Sequence, residues 1–322
     1  MKAAVYDETG GPEVLRYADV PDPELAPGGV LIEVGAIGVQ GGDVLHRRGG
    51  EIPSAPHIVG YQAAGTVRQV GARVDGIRPA QEVVAVMLAG SHAELVSVPA
   101  GSVWVLPEGV SVADAAGVPV EFATAHDCLF EFGRLQAGET VLVQAGAGGV
   151  GIAAVQLAKA AGATVLATAS SDERLERLRG YGLDQPINYV TGDVVAEVMA
   201  LTGGRGVDLV VDPVGGRTLE ASIAATAYRG RVVWTGRAGR DDTVPDVWPL
   251  AMKNGSLTGV FLGGEMMMDP GRVRALVSAL LDRVAAGELH VVVDRTFPLS
   301  EAADAHRYIE SRQAFGRVLL VP

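Results

Sequence analysis

A glycine-rich turn in the middle of the chain joins an apolar strand pattern to an apolar helix pattern. From Val141 to Gly151 the sequence reads VLVQAGAGGVG, with Gly148 and Gly151 at the spacing where amides approach a pyrophosphate and a helix packs closely on a strand. The helix start offers free N–H groups and the positive end of its dipole to phosphate oxygens. A second strand pattern, Thr164–Thr168, completes a βαβ unit within about 30 residues. This spacing predicts a dinucleotide site, with the pyrophosphate on Gly148, Gly149, Val150 and Gly151.

Small hydroxyl residues follow the second strand pattern, where an acidic residue would select NAD. An Asp or Glu about 20 residues past the turn binds the ribose 2′-OH and repels a 2′-phosphate. Here the chain reads ATASS from Ala167 to Ser171, and Arg174 follows. A charge-assisted hydrogen bond from Arg174 to a 2′-phosphate would contribute about 1.5–3 kcal/mol. The pattern favours NADPH over NADH, although Arg174 also begins a helix, where an exposed arginine needs no function.

The elements that carry this turn change character near residue 122. Residues 1–122 read as short β-segments separated by Gly/Pro turns, with alternation clearest in Val30–Val34. From residue 123 short apolar strands alternate with segments of helical spacing, which predicts a doubly wound parallel sheet. The tail returns to β-type segments and is expected to fold back onto the first domain. The sequence therefore predicts an α/β fold with one domain of residues 1–122 plus 290–322 and a second of residues 123–289.

Four local predictions concern the last third of the chain. Ser256–Leu262 reads as a further apolar strand and His290–Val293 as a β-segment. Arg272–Ala286 reads as an amphipathic helix of the second domain. Ser300 is expected to cap a helix that runs to Glu310.

The composition excludes several classes of protein. The formal net charge of −12 argues against a nucleic-acid or anionic-membrane surface, which needs clustered Lys and Arg. The uncharged run from Val141 to Ala158 is interrupted by glycines and glutamines, so it is not interpreted as a membrane span. With one cysteine, Cys128, no internal disulfide can form. These features and the absence of a signal-peptide pattern predict a cytoplasmic protein.

Motifs along the whole chain carry a family signature. They are Gly11–Leu15 (GPEVL), Val98–Ala100 (VPA), Thr124–Ala125, the glycine turn, Ile187–Tyr189 (INY), Val211–Gly215 (VDPVG), Gly230–Val233 (GRVV), Ala305–Arg307 (AHR) and Gly316–Leu320 (GRVLL). With them the chain resembles the quinone oxidoreductases of the zeta-crystallin type, in the zinc-independent part of the medium-chain dehydrogenase/reductase superfamily. The resemblance implies a GroES-like β-rich catalytic domain, a Rossmann domain, NADPH, and a homodimer formed by edge pairing of a strand such as Ser256–Leu262.

The resemblance also implies positions for the cofactor beyond the glycine turn. Ser170, Arg174 and Tyr189 would bind the 2′-phosphate and adenosine. Thr124, Gly236 and Leu262 would line the nicotinamide, and Arg317 stands where the family has a lysine near the cofactor. Two structural alternatives stay open: Tyr189 as an ordinary half-buried aromatic, and Arg317 as a cap on the last strand.

The ligands of the zinc-dependent relatives are absent. Those proteins use a first-domain Cys, a Gly-His-Glu and a later Cys, because tetrahedral Zn²⁺ takes thiolate and imidazole ligands. This chain has Gly38–Asp43 (GVQGGD) and Gly60–Gln62 (GYQ) at the first two places, and its six histidines lack ligand spacing. We therefore expect no metal site. Without a Lewis acid to stabilise an alkoxide, hydride addition to a conjugated acceptor is easier than alcohol dehydrogenation, because the charge spreads into an enolate or hydroquinone.

The catalytic loop departs from the family pattern. Many relatives have Asn at the position of Gln40 and Tyr at the position of Leu45. We expect Gln40 to hydrogen-bond the acceptor carbonyl, Tyr61 or His46 to lie at the rim of the pocket, and solvent to supply the proton. Asp43 is either an organiser of this loop or a turn-stabilising carboxylate.

The sequence favours an NADPH-dependent reductase of quinones or α,β-unsaturated carbonyl compounds that transfers hydride without a metal. Two alternatives stay open. One is a specialised enoyl-thioester or biosynthetic enone reductase. The other is an NADPH-binding sensor or structural protein with little turnover.

Overall fold

A computed structural model describes the whole chain, residues 1–322, which folds into two compact units. Unit 1 comprises Met1–Val120 and Met268–Pro322, and unit 2 is the intervening Glu121–Met267. No helix of the protein combines the length and the apolar character that crossing a bilayer requires. The uncharged run from Val141 divides into a strand, a turn and a helix.

The chain forms sixteen strands. They are β1 (Lys2–Tyr6), β2 (Arg16–Asp19), β3 (Gly29–Gly38), β4 (His57–Ile58), β5 (Gln62–Val70), β6 (Glu82–Val86), β7 (Leu95–Pro99), β8 (Val103–Val105), β9 (Thr140–Val143), β10 (Thr164–Ala169), β11 (Gln185–Asn188), β12 (Val207–Asp212), β13 (Thr226–Trp234), β14 (Ser256–Gly259), β15 (Val293–Pro298) and β16 (Arg317–Val321).

Eleven α-helices connect the strands. They are α1 (Gly41–Gly49), α2 (Val112–Ala115), α3 (Pro119–His126), α4 (Gly149–Ala160), α5 (Asp172–Arg179), α6 (Val194–Leu201), α7 (Arg217–Ala225), α8 (Trp248–Met252), α9 (Leu262–Met268), α10 (Pro270–Ala285) and α11 (Ala302–Glu310). Short 3₁₀ turns cover Pro12–Val14, Ala100–Ser102 and Leu299–Glu301, and a π-helical turn, Asp127–Glu131, continues α3.

Strand β3 is the centre of unit 1. Its alternating pattern buries Val30, Ile32 and Val34 and exposes Glu33, as a sheet with one covered face requires. The first half of β3 pairs with β7 and its last two residues pair with β16, while β5 lies along its other edge. The seven-stranded sheet runs β15-β16-β3-β5-β6-β8, with β7 beside β3 as the seventh strand, and a smaller sheet runs β2-β1-β4. The C-terminal strand therefore completes the β-rich unit, as the tail pattern predicted.

Unit 2 is a parallel sheet in the order β11-β10-β9-β12-β13-β14. Its strands are short apolar runs, and Leu142, Leu166 and Val210 share one buried cluster with residues of the covering helices. The chain reverses direction across the sheet between β9 and β12. In open α/β sheets a ligand binds outside the carboxyl ends of the strands at such a switch point. The predicted α/β class, a GroES-like unit plus a Rossmann unit, is confirmed by this topology.

The second boundary between the units differs from the prediction. We expected residues 268–289 in the Rossmann domain, but they belong to unit 1. Helix α10 packs beside β8, where Trp104 Nε1 donates to the Arg274 carbonyl at 3.0 Å and Arg274 Nη1 donates to the Val103 carbonyl at 2.9 Å. The amphipathic pattern identified the helix but could not tell which sheet its apolar face covers.

Three local predictions were also wrong in detail. The strand at Ser256 ends at Gly259, since the chain turns at Val260 and Phe261 and buried Leu262 already begins α9. The β-segment expected over His290–Val293 begins only at Val293. Ser300 is not a helix cap: buried Leu299 opens a 3₁₀ turn that contains Ser300, and α11 starts after Glu301.

Candidate functional site

The glycine turn leaves the first amides of α4 without a side-chain cap. Gly148 is the N-cap residue and makes no capping hydrogen bond, so the N–H groups of the first helical turn have no partner within the helix. A Cβ at Gly151 would lie 2.7 Å from the Gly146 Cα, so only glycine allows α4 to pack this closely. A Cβ at Gly148 would meet nothing nearer than the Ala145 carbonyl oxygen at 3.4 Å. The turn thus combines close packing at Gly151 with an open cradle of donors that fits a pyrophosphate.

Three of the predicted adenosine-side residues come together at the carboxyl ends of β10 and β11. Arg174 Nη1 donates to Ser170 Oγ at 3.3 Å, and the Tyr189 amide donates to the Ala169 carbonyl at 3.2 Å. The Tyr189 side chain is 43% exposed, so it is available to stack on a ligand. Asp172, an acidic residue of the same helix turn, accepts from Asn188 Nδ2 at 2.8 Å. The arrangement presents one cation and one aromatic ring where a 2′-phosphoadenosine would lie.

The residues predicted at the nicotinamide end are linked through the ends of β13 and β14. Thr235 Oγ1 donates to the Val260 carbonyl at 3.1 Å, which ties the segment of Gly236 to the segment that leads to Leu262. Thr124 lies on α3 one turn before Cys128, whose thiol hydrogen-bonds with Thr235. Burial raises the pKa of the Cys128 thiol to about 12, so this cysteine is a packing group rather than a nucleophile.

Gln40 and Tyr61 both lie at the start of α1 in unit 1. Gln40 is the N-cap residue, and its backbone N–H donates to Asp43 Oδ2 at 2.8 Å in a reciprocal capping box. Asp43 is therefore a turn-stabilising carboxylate. The Tyr61 hydroxyl fills the space that a Cβ at Gly42 would need. The two predicted substrate-side residues thus share one helix N-terminus.

Arg317 holds the residue before Gln40. Its Nη2 donates to the Val39 carbonyl at 2.8 Å, and the side chain is buried at the start of β16. The structure therefore gives Arg317 a role in fixing the corner between β3 and α1. The cofactor role that the resemblance implies for it stays a prediction.

His46 lies in the last turn of α1, in contact with two other aromatic rings. The Tyr6 hydroxyl lies 2.8 Å from His46 Nδ1, and the His46 ring stacks on His57 with centroids 5.0 Å apart. Burial raises the pKa of Tyr6 to about 12, with Asp43 as a further cause, so the phenol stays protonated. The contact with His46 Nδ1 gives the buried Tyr6 hydroxyl a hydrogen-bond partner.

Gln40 caps the start of α1, whereas His46 lies in its last turn. Six residues separate them, which corresponds to about 9 Å along a helix axis. The role of His46 at a pocket rim stays a prediction.

A residue at one of the positions that hold zinc ligands in the zinc-dependent relatives has a structural role here. Gln62 stands where zinc-dependent relatives have a glutamate, and its amide is bonded at both ends: Oε1 accepts from the Val120 amide at 2.7 Å, and Nε2 donates to the Ala116 carbonyl. No group of three or more His, Cys, Asp or Glu side chains in the structure could hold a metal ion.

Sequence reasoning missed two sets of buried polar residues. His92 and His306 lie in unit 1 with their Nε2 atoms 3.2 Å apart. In unit 2, Gln144, Thr168 and Asp212 are buried at the ends of three adjacent strands. A signal was present for the second set, since in each case a polar residue directly follows an apolar run.

Comparisons with known proteins agree with this architecture. Residues 26–108 match the alcohol dehydrogenase GroES-like domain, and residues 149–282 match the zinc-binding dehydrogenase family. A 2-haloacrylate reductase from Burkholderia sp is 33% identical over 330 residues, covering 100% of this chain and 99% of that protein. A quinone oxidoreductase from Pseudomonas aeruginosa is 32% identical over 315 residues, covering 97% of each.

Solved structures extend the likeness to three dimensions. The Escherichia coli quinone oxidoreductase, solved in complex with NADPH, superposes with a TM-score of 0.95 at 30% identity and covers 100% of both chains. Fold, glycine turn and relatives together define a dinucleotide-dependent oxidoreductase. The chain belongs to the quinone-oxidoreductase-like members of the medium-chain dehydrogenase/reductase superfamily, which confirms the resemblance seen in the sequence.

Proposed function

We propose that the protein is an NADPH-dependent reductase of quinones or α,β-unsaturated carbonyl compounds. The observation that carries the proposal is the pairing of Arg174 with Ser170 where an NAD-selective acid would stand, beside an open glycine turn. The E. coli relative with NADPH supports the choice of cofactor. When bound, the cofactor supplies a hydride for the electrophilic carbon of the acceptor.

The chain itself binds and orients the two reactants. The amides of Gly149, Val150 and Gly151 hold the pyrophosphate, and Arg174 and Tyr189 hold the adenosine end. Gln40 donates a hydrogen bond from Nε2 to the acceptor carbonyl, where negative charge develops. The oxygen of the same side-chain amide caps α1, because Oε1 accepts from the backbone N–H of Asp43. Solvent protonates the product, with His46 and Tyr61 at the rim.

Gln40→Glu separates these two uses of the amide. The carboxylate keeps an acceptor for the cap and loses the Nε2 donor. We expect kcat/KM for the acceptor to fall about tenfold to a hundredfold, while the Kd for NADPH stays within twofold. Circular dichroism and urea unfolding check that α1 is intact. An unchanged kcat/KM would remove Gln40 from the site.

The acceptor class is tested by NADPH and NADH oxidation against quinones, enones and enoyl thioesters, with analysis of the products. Turnover of quinones or simple enones with NADPH supports the proposal. Preference for a conjugated acid or thioester supports the specialised enone reductase, which the relative named 2-haloacrylate reductase favours. NADPH binding without oxidation in any combination would indicate the sensor or structural protein.

We further propose that the protein is a cytoplasmic homodimer formed along β14. This strand is the outer edge of the parallel sheet, and Phe261, which follows it, is 73% exposed. The Val260 amide donates inward to the Trp234 carbonyl, so by alternation the Gly259 amide points outward. Gly259→Pro should therefore give a monomer in light scattering, while Gly259→Ala stays dimeric. A dimeric proline variant would refute pairing through this edge.

A further inference from the structure

Three neighbouring strands of unit 2 lead into the cofactor loops through buried polar side chains. Gln144 directly follows β9, Thr168 is next to last in β10, and Asp212 ends β12. Their exposed fractions are 2%, 1% and 0%. Because buried polar groups must be hydrogen-bonded, the partners of these side chains determine how the loops after the strands are held.

One continuous chain of hydrogen bonds joins the three strand ends. Ser222 Oγ, on α7, donates to Asp212 Oδ2 at 2.7 Å. Gln144 Nε2 donates to Ser222 Oγ at 3.1 Å, and Thr168 Oγ1 donates to Gln144 Oε1 at 2.8 Å. The Ala145 backbone N–H donates to Thr168 Oγ1 at 3.0 Å. The chain therefore runs from the glycine turn to a buried carboxylate.

The carboxylate determines the direction of every bond. A carboxylate only accepts, so the Ser222 hydroxyl must donate to it. With that hydrogen used, Ser222 Oγ accepts from the Gln144 amide, whose oxygen then faces Thr168. The Thr168 hydroxyl donates to that oxygen and accepts from Ala145. Aligned bonds of this kind polarise one another in a medium of low dielectric constant.

The second oxygen of Asp212 holds the loop after β12. It accepts from the amides of Val214 and Gly215 at 2.8 and 2.9 Å. Gly236 lies against this loop, since a Cβ on it would be 2.8 Å from the Pro213 carbonyl oxygen. One carboxylate thus fixes both the glycine turn and the loop beside the segment assigned to the nicotinamide.

The chain of hydrogen bonds ends at the backbone of Ala145. Its φ of +51° lies in the left-handed region, which is unfavourable for a residue with a Cβ. Its N–H is held by Thr168, and its carbonyl accepts from the Gly148 amide at 3.0 Å. The turn that aims the α4 amides is therefore anchored at both ends of one strained residue.

We propose that Asp212, acting through Ser222, Gln144 and Thr168, is a positioning residue for the dinucleotide. It holds Ala145 in the left-handed conformation that turns the amides of Gly149–Gly151 toward the pyrophosphate. The role in affinity rests on the proposed NADPH-dependent function, whereas the role in holding the turn concerns the free protein.

Three variants test this chain of hydrogen bonds, with one matched control. Thr168→Val removes the hydroxyl at nearly constant volume, Thr168→Ser restores it, and Asp212→Asn puts a donor where Ser222 now finds an acceptor. The control is Thr226→Val: Thr226 is equally buried in unit 2, and its hydroxyl donates to the Ile223 carbonyl at 2.7 Å, outside the chain. The readouts are the Kd for NADPH by fluorescence titration, urea unfolding, and hydrogen exchange of the peptide over residues 144–151 in the free protein.

We expect Thr168→Val and Asp212→Asn to raise the Kd about five- to tenfold and to speed exchange of that peptide. Thr168→Ser should bind within twofold of the wild type. Thr226→Val should lose comparable stability and bind NADPH normally. The inference would be overturned if hydrogen exchange were unchanged in both Thr168→Val and Asp212→Asn. It would also be overturned if Thr226→Val lost as much affinity for NADPH as those two variants. Failure of the wild type to bind NADPH would instead overturn the proposed function, and the exchange data would still decide the inference.

Discussion

The guanidinium of Arg174 is the charge on which the proposed preference for NADPH depends. It lies in the first turn of α5, and its hydrogen bond to Ser170 Oγ is long, at 3.3 Å. A hydrogen bond to a charged partner contributes about 1.5–3 kcal/mol, and the half-exposed position places Arg174 at the lower end because solvent screens it. Arg174→Gln should therefore raise the Kd for NADPH about tenfold.

The same substitution should leave the Kd for NADH within twofold, because NADH has no 2′-phosphate. Both constants are measured by fluorescence titration at one fixed ionic strength, since surface charge effects depend on salt. Arg177→Gln, one turn further along the exposed face of α5, is the matched control for loss of a positive charge. Equal weakening of NADPH and NADH, or an effect of Arg177→Gln as large as that of Arg174→Gln, would refute the assignment.

Two further predictions concern glycine packing and acid stability. Gly151→Ala should destabilise the free protein by about 1–3 kcal/mol in urea unfolding, because its Cβ would press on the Gly146 backbone, whereas Gly148→Ala should unfold normally yet bind NADPH at least tenfold more weakly. Equal stability of the two variants would contradict this reading of the turn. Burial lowers the pKa of His92 to about 3 and that of His306 well below its ordinary value, so both fold as neutral groups. Their contribution to stability is full above pH of about 6.5 and decreases below it by about 1.4 kcal/mol per pH unit for each histidine. Between pH 7 and pH 5, the free energy of unfolding in urea should fall less steeply in a His92→Gln/His306→Gln double variant than in the wild type. Substitution of the exposed His290 by Gln should leave the wild-type slope unchanged. Identical slopes in the wild type and both variants would show that the pair does not titrate on unfolding.

Local patterns predicted the fold class and the glycine turn that precedes α4. The strand, the glycine spacing and the helix from Val141 onward are adjacent in sequence, so one stretch carried all the information. Ser170 and Arg174 were likewise predicted from their distance to the turn, and the structure brings the two side chains into hydrogen-bond contact. The helix at Arg272 shows the limit, since an amphipathic face specifies that it is covered and not by which sheet.

The parts that sequence reasoning missed depend on contacts between distant residues. His92 meets His306 across 214 positions, and Gln144 meets Ser222 across 78. Neither pair has a local spacing to recognise. Gln40 shows a different limit, because the sequence suggested a substrate contact and gave no sign that the same amide also caps α1.

The division of the chain has a consequence for synthesis. Unit 2 is one continuous segment, Glu121–Met267, so all of its residues are synthesised before β15 and β16. Unit 1 must wait, because β3 pairs with β16 through Ile37 and Leu320. Until then the end of β3 lacks its neighbour, and Val39 lacks the Arg317 guanidinium that holds the corner before Gln40. A chain arrested before residue 317 would therefore hold every residue of the parallel sheet while lacking both the strand and the guanidinium that fix the corner before Gln40.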